Sequence, residues 1–142
     1  MYPCELSLFD AGISSLAQLV ELPRMTSLHS LNLHCNRINR ISHLEPLAQL
    51  QSLNLSSNLI EAISGLHSLT QLHALDLSCN SIRLIDGLAT LRQLRRLLLS
   101  FNRISSLLAL SSATAVHSHT LRRMATASPS CARRNTCVGC RS

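Results

Sequence analysis

The stretch Leu28-His-Ser-Leu31-Asn-Leu33-His-Cys-Asn36-Arg-Ile38 decides the fold, because it returns three more times. Leu50 to Ile60, Leu72 to Ile82 and Leu94 to Ile104 repeat its pattern, LxxLxLxxNxI, and Asn36, Asn58, Asn80 and Asn102 stand 22 residues apart. Each copy is followed by apolar residues at three-residue steps, as in Ile41, Leu44, Leu47 and Leu50. A fixed period of this length means a stack of like units, each burying its apolar face on its neighbours. The LxL core predicts a short strand whose leucines point inward and whose middle residue points out. The asparagine falls where the chain turns inward, and its short amide suits backbone groups left unpaired by that turn. The three-residue spacing after it predicts a return segment of helical or tight-helical turns. Pro46 stands near the start of one such segment, and Gly65 and Gly87 enter two others. Each unit is therefore expected to be one strand, one corner and one short helix.

Working outward, residues 1–27 form an irregular first unit. Leu6-Ser-Leu8 is its strand pair, Ile13, Leu16, Leu19, Leu22 and Met25 lead on to Leu28, and Ala11 stands where the others have asparagine. Terminal units of a stack are commonly atypical because they cap it. Four 22-residue units occupy residues 28–116, the last incomplete: a fifth would need asparagine at 124, where the chain has Met124. From Ser111 the composition turns to Ser, Ala, Thr, Arg and Cys, and 117–142 is expected to be a disordered basic tail. An abrupt stop would leave an open sheet edge around Leu97 to Leu99, which suggests a fragment or an alternative product of a longer protein.

The composition agrees with aliphatic layers. Leucine supplies 30 of 142 residues, Trp is absent, and the aromatics are Tyr2, Phe9 and Phe101. The formal charge of +6 is uneven: residues 1–110 hold eight Arg and all seven acids, net +1, whereas 111–142 hold five Arg and no acid. The basicity describes the tail. No stretch approaches the ~20 apolar residues of a membrane span, and Glu5 stands where a secretory signal would be basic, so an intracellular, cytoplasmic chain is expected. The six cysteines are then expected to be thiols.

This pattern resembles the leucine-rich repeat and implies an α/β solenoid, with a curved parallel sheet on the concave face and short helices or 3-10 turns on the convex face. Outward residues of the strands would form columns for a protein partner: Ser30, Asn32 and His34; Ser52, Asn54 and Ser56; Ala74, Asp76 and Ser78; Arg96, Leu98 and Ser100. The partner-binding candidates are Asn32, His34, Asn54, Ser56, Asp76, Ser78, Arg96, Leu98 and Ser100, with Leu98 an apolar member among small polar ones. The words Asn32-Leu-His-Cys-Asn36, Asn54-Leu-Ser-Ser-Asn58, Asp76-Leu-Ser-Cys-Asn80 and Leu98-Leu-Ser-Phe-Asn102, with Ile63-Ser-Gly-Leu66 and Ile85-Asp-Gly-Leu88, add a finer likeness. Over residues 5–110 they resemble centrosomal proteins that join leucine-rich repeats to a coiled coil. That resemblance implies a centrosome or centriole component acting through protein contacts in spindle-pole organisation, with a link to cilia. The coiled coil itself is missing from this sequence. An alternative is a regulatory subunit that docks a protein phosphatase through its repeats.

Other chemistry is poorly supported. Cys35 and Cys79 share one position two strands apart, about 10 Å at ~4.8 Å per strand, too far for a disulfide, and read as small semi-buried fillers. His29 and His73 share another column at the same double spacing and read as ordinary surface residues rather than a metal site. Cys131, Cys137 and Cys140, with His117 or His119, include one C-x2-C pair but no established zinc spacing, so no cofactor and no metal is expected. The tail arginines lack the aromatic platforms of a sequence-tolerant nucleic-acid binder, and Arg123-Met-Ala-Thr126 is a short basophilic kinase pattern. No nucleophile elbow, phosphate loop or HExxH occurs, so neither an enzyme nor a small-molecule substrate is expected.

Overall fold

A computed structural model describes residues 4–20 and 25–105. Five three-residue strands, β1 (Glu5–Ser7), β2 (Ser30–Asn32), β3 (Ser52–Asn54), β4 (Ala74–Asp76) and β5 (Arg96–Leu98), pair in sequence order as one parallel sheet. The register is set by the repeat, with Leu6, Leu31, Leu53, Leu75 and Leu97 side by side. Consecutive parallel strands need a crossover between them, and here each crossover is the rest of one coil. The irregular unit joins the same sheet through β1, so it is a coil of the same stack.

Of the short helices or 3-10 turns expected, the return segments of the regular coils take the turns. In the regular coils the Leu47 N–H donates to the Leu44 carbonyl at 3.0 Å, and the Leu50 N–H to the Leu47 carbonyl at 2.9 Å. The same pair recurs as Leu69 to Leu66 and Leu72 to Leu69, both 3.0 Å, and as Leu91 to Leu88 at 3.0 Å and Leu94 to Leu91 at 3.1 Å. These are successive three-residue turns. Only Glu45–Leu47 extends into a 3-10 helix, with Pro46 in its first turn. The irregular first coil carries a four-residue helix, α1 (Ala17–Val20), and a 3-10 turn, Met25–Ser27. A 22-residue coil with a strand and two corners leaves too few residues for an α-helix, and a three-residue turn brings every third side chain onto the same inward line.

The core is a set of aliphatic columns running along the stack. Leu28, Leu50, Leu72 and Leu94 form one; Leu33, Leu55, Leu77 and Leu99 another; Ile41, Ile63 and Ile85 a third; all are buried. Truncating one member to Ala opens a void between two coils, at about 2 to 5 kcal/mol.

The asparagines hold the corners. Asn58 accepts the Ile38 N–H at 3.0 Å and donates to the carbonyls of Leu33 and Leu55, both 3.0 Å, and of Ser56 at 3.2 Å. Asn80 repeats this with Ile60, Leu55, Leu77 and Ser78, and Asn102 with Ile82, Leu77, Leu99 and Ser100. Asn36 reaches into the irregular coil, accepting from Ala11 and Ile13 and donating to Leu8, Leu33 and His34. Each amide thus spans two coils. The residue before it is left-handed in the four regular coils, with φ of 56° at Cys35, 56° at Ser57, 55° at Cys79 and 58° at Phe101, and Asp10, before Ala11 in the irregular coil, matches them at 50°. Such a conformation costs roughly 1 to 2 kcal/mol outside glycine, and the corner bonds offset it.

A second left-handed column, His43, Gly65 and Gly87, opens the return segments. At Gly65 an added Cβ would meet the Ile41 carbonyl oxygen at 2.5 Å; at Gly87 the corresponding approach, to Ile63, is 3.1 Å. Gly65 is therefore required by close packing between coils as well as by its φ of 68°.

Candidate protein-interaction face

The register places the outward side chains of the sheet in columns. Glu5, Ser30, Ser52, Ala74 and Arg96 align in the first, and Ser7, Asn32, Asn54, Asp76 and Leu98 in the second. The backbone bonds just past the strands continue the pairing: Asp10 N–H to His34, Cys35 to Ser56, Ser57 to Ser78 and Cys79 to Ser100. These carry the third column, Phe9, His34, Ser56, Ser78 and Ser100. All nine partner-binding candidates thus fall on one side of the sheet.

Their freedom to meet a partner differs. Asn32 accepts the backbone N–H of His34 at 3.1 Å, Asn54 that of Ser56 at 2.9 Å, and Asp76 that of Ser78 at 2.9 Å. One short polar side chain per coil therefore closes a local turn two residues on. Leu98, at the same position in the last coil among the described residues, has no acceptor to offer. Asn54 also takes the Ser56 hydroxyl at 2.6 Å, and Ser56 is only 6% exposed. Ser56 belongs to the sheet's internal bonding more than to its accessible surface. Arg96 is exposed and Leu98 half-buried.

A feature the sequence reading missed is Phe9. It is 51% exposed and stacks on His34, with ring centroids 5.4 Å apart and an interplanar angle of 25°. Its place one residue past Leu6-Ser-Leu8 is the signal that could have found it, once the irregular coil is aligned with His34. His29 and His73 are half-buried rather than ordinary surface residues, each with a buried Nδ1 that makes no hydrogen bond. Cys4, Cys35 and Cys79 are in no disulfide. Among the described residues no cluster of three or more His, Cys, Asp or Glu could hold a metal ion, and no helix is long and apolar enough to cross a membrane. The expected tail, with His117, His119, Cys131, Cys137, Cys140, Arg123 and Thr126, lies outside the described residues.

With the coil geometry in view, the chain is a leucine-rich repeat solenoid, the class its period implied. Residues 48–90 match the family model for leucine-rich repeats, two copies. Among solved structures the chain is similar to an internalin (inlF) from Listeria monocytogenes, with 33% identity over 73% of this chain and 30% of that one and a TM-score of 0.62. It is similar also to internalin C2 (inlC2) from the same organism, with 29% identity, 79% of this chain and 47% of that one, and a TM-score of 0.65. A TLR13–ssRNA13 complex matches at 24% identity over 84% of this chain and 21% of that one, with a TM-score of 0.68, a likeness of fold alone. The chain thus spans less than half the length of each of these proteins. A comparison with curated protein sequences finds no match.

Proposed function

We propose that this chain is a non-enzymatic protein-interaction scaffold of the centrosome or centriole, supporting spindle-pole organisation and cilia through a protein partner held on its concave face. The observation that carries the binding role is the in-register sheet, which repeats a patterned row of side chains at one-strand intervals and, among the described residues, runs to Leu98 beside Arg96. Leucine-rich repeat solenoids commonly bind through such surfaces. The cellular setting rests on the repeat words around Asn32 to Asn36, Asn54 to Asn58, Asp76 to Asn80 and Leu98 to Asn102, which resemble centrosomal repeats.

The test uses side chains that bond to nothing within the sheet. The full chain and an Ala74→Arg, Leu98→Asp variant are tagged and imaged against a centriole marker in dividing cells. The expected result is concentration of the parent chain at spindle poles and a diffuse variant that retains the parent's far-ultraviolet circular dichroism. A diffuse parent chain would overturn the centrosomal role, and a variant still at the poles would overturn the concave-face role. Co-purifying protein phosphatase activity would instead support docking of a phosphatase catalytic subunit.

A further inference from the structure

His34 and Cys35 form a polarised dyad whose direction is fixed by the strand next to it. The Nδ1 of His34 is 2.7 Å from the Ser56 hydroxyl and 3.1 Å from the Ser56 carbonyl oxygen. A carbonyl can only accept, and the Ser56 hydroxyl donates its proton to Asn54 at 2.6 Å. The Nδ1 therefore carries the hydrogen, and the neutral ring keeps its lone pair on Nε2. That Nε2 lies 3.3 Å from the Cys35 sulfur. The thiol thus faces a base whose opposite nitrogen is already bonded to two acceptors suited to an imidazolium. Phe9 stacks on the ring and fixes its plane.

The fold supplies its own comparison. Cys79 occupies the same place two coils on, with φ of 55° against 56° at Cys35, and the same half-buried state. Its predecessor is Ser78, so no imidazole occupies the corresponding position. Cys4 is exposed and lies before β1.

We propose that Cys35 is a hydroperoxide-reactive thiol activated by His34, a modification site beside the concave columns. The Cys35 proton passes to Nε2, and the thiolate, the reactive form, attacks one oxygen of the peroxide. The O–O bond breaks, and the leaving oxygen takes the Nε2 proton to depart as water or an alcohol. Sulfur is oxidised to the sulfenic acid and the peroxide is reduced, with His34 returned to its neutral form. The assignment is independent of which partner the sheet binds.

The experiment exposes the reduced full chain to hydrogen peroxide, traps sulfenic acid with a cyclic 1,3-diketone, and follows labelling of Cys4, Cys35 and Cys79 by peptide mass spectrometry. A base in contact with a thiol raises its thiolate population, and the thiolate is the reactive form, although a more acidic thiol is also a somewhat weaker nucleophile. A net lead of about threefold or more for Cys35 over Cys79 is expected. His34→Ser and His34→Gln should each bring Cys35 to the Cys79 rate; serine already fills this position in three later coils, at Ser56, Ser78 and Ser100. In urea the lead should vanish, because Ser56 then no longer orients the ring. Equal rates for Cys35 and Cys79 in the folded chain would overturn the proposal, as would a lead that survives either His34 substitution or persists in urea.

Discussion

Asn58→Ala tests the corner chemistry most directly. The substitution removes one acceptor and one donor group that together make four hydrogen bonds, two of them between the second and third coils, to Ile38 and Leu33, and two within the third, to Leu55 and Ser56. Not all of that loss leaves a group unpaired. The Leu33 carbonyl still accepts from Asn36 and the Leu55 carbonyl from Asn80, while the Ser56 carbonyl keeps the Cys35 N–H. Among the described residues the Ile38 N–H bonds to Asn58 alone. One buried orphan donor costs about 1 to 3 kcal/mol, and the weakened carbonyls and small void add to it, so about 2 to 4 kcal/mol is expected. Asn58→Asp should be at least as harmful, because its second oxygen would face the Leu33 and Leu55 carbonyls from the place of the lost NH2 group. Urea denaturation of the full chain measures the cost, and hydrogen exchange at Ile38 locates it. A loss below about 1 kcal/mol, an Ile38 amide as protected as in the parent, or an aspartate milder than alanine would each refute the reasoning.

Gly65→Ala is expected to cost more than about 2 kcal/mol and Gly87→Ala about 1 kcal/mol, since both pay the left-handed strain but only the first drives a Cβ into a carbonyl 2.5 Å away; thermal denaturation of the pair reads the difference. Leu53→Ala, in the middle of the Leu31, Leu53 and Leu75 row, should lose about 2 to 5 kcal/mol in urea. Ala74→Arg with Leu98→Asp should change stability by less than about 1 kcal/mol while abolishing partner capture, checked by denaturation beside pull-down. Asn54→Arg is a poorer probe of capture, because it also removes the acceptor for both Ser56 groups.

The stacking was legible because its signal is redundant: Asn36, Asn58, Asn80 and Asn102 recur at one spacing, and the strands follow in the same register. The return segments were less so. Three-residue apolar spacing is compatible with a short helix or with successive turns, and only the residues available between corners decide for turns. On the candidate face, alternation along the strands placed Asn32, Asn54, Asp76 and Leu98 outward, yet sequence could not tell that three of them close turns onto the next residues. That depends on backbone direction after the strand. The Phe9–His34 stack was hidden because it joins a 25-residue coil to a 22-residue one, where simple periodic alignment slips by three. The order of the His34, Ser56 and Asn54 bonds is likewise a cross-strand property, and no spacing within one coil encodes it.

The asparagine corners also give the stack a polarity in time. The amide N–H of Ile13 is completed by Asn36, that of Ile38 by Asn58, that of Ile60 by Asn80 and that of Ile82 by Asn102. Each of the first four coils therefore waits for a residue some twenty positions downstream before its corner is satisfied. On a ribosome the chain emerges in that same direction, so each newly released coil acts as the clasp for the one already outside, and closure advances one turn behind synthesis.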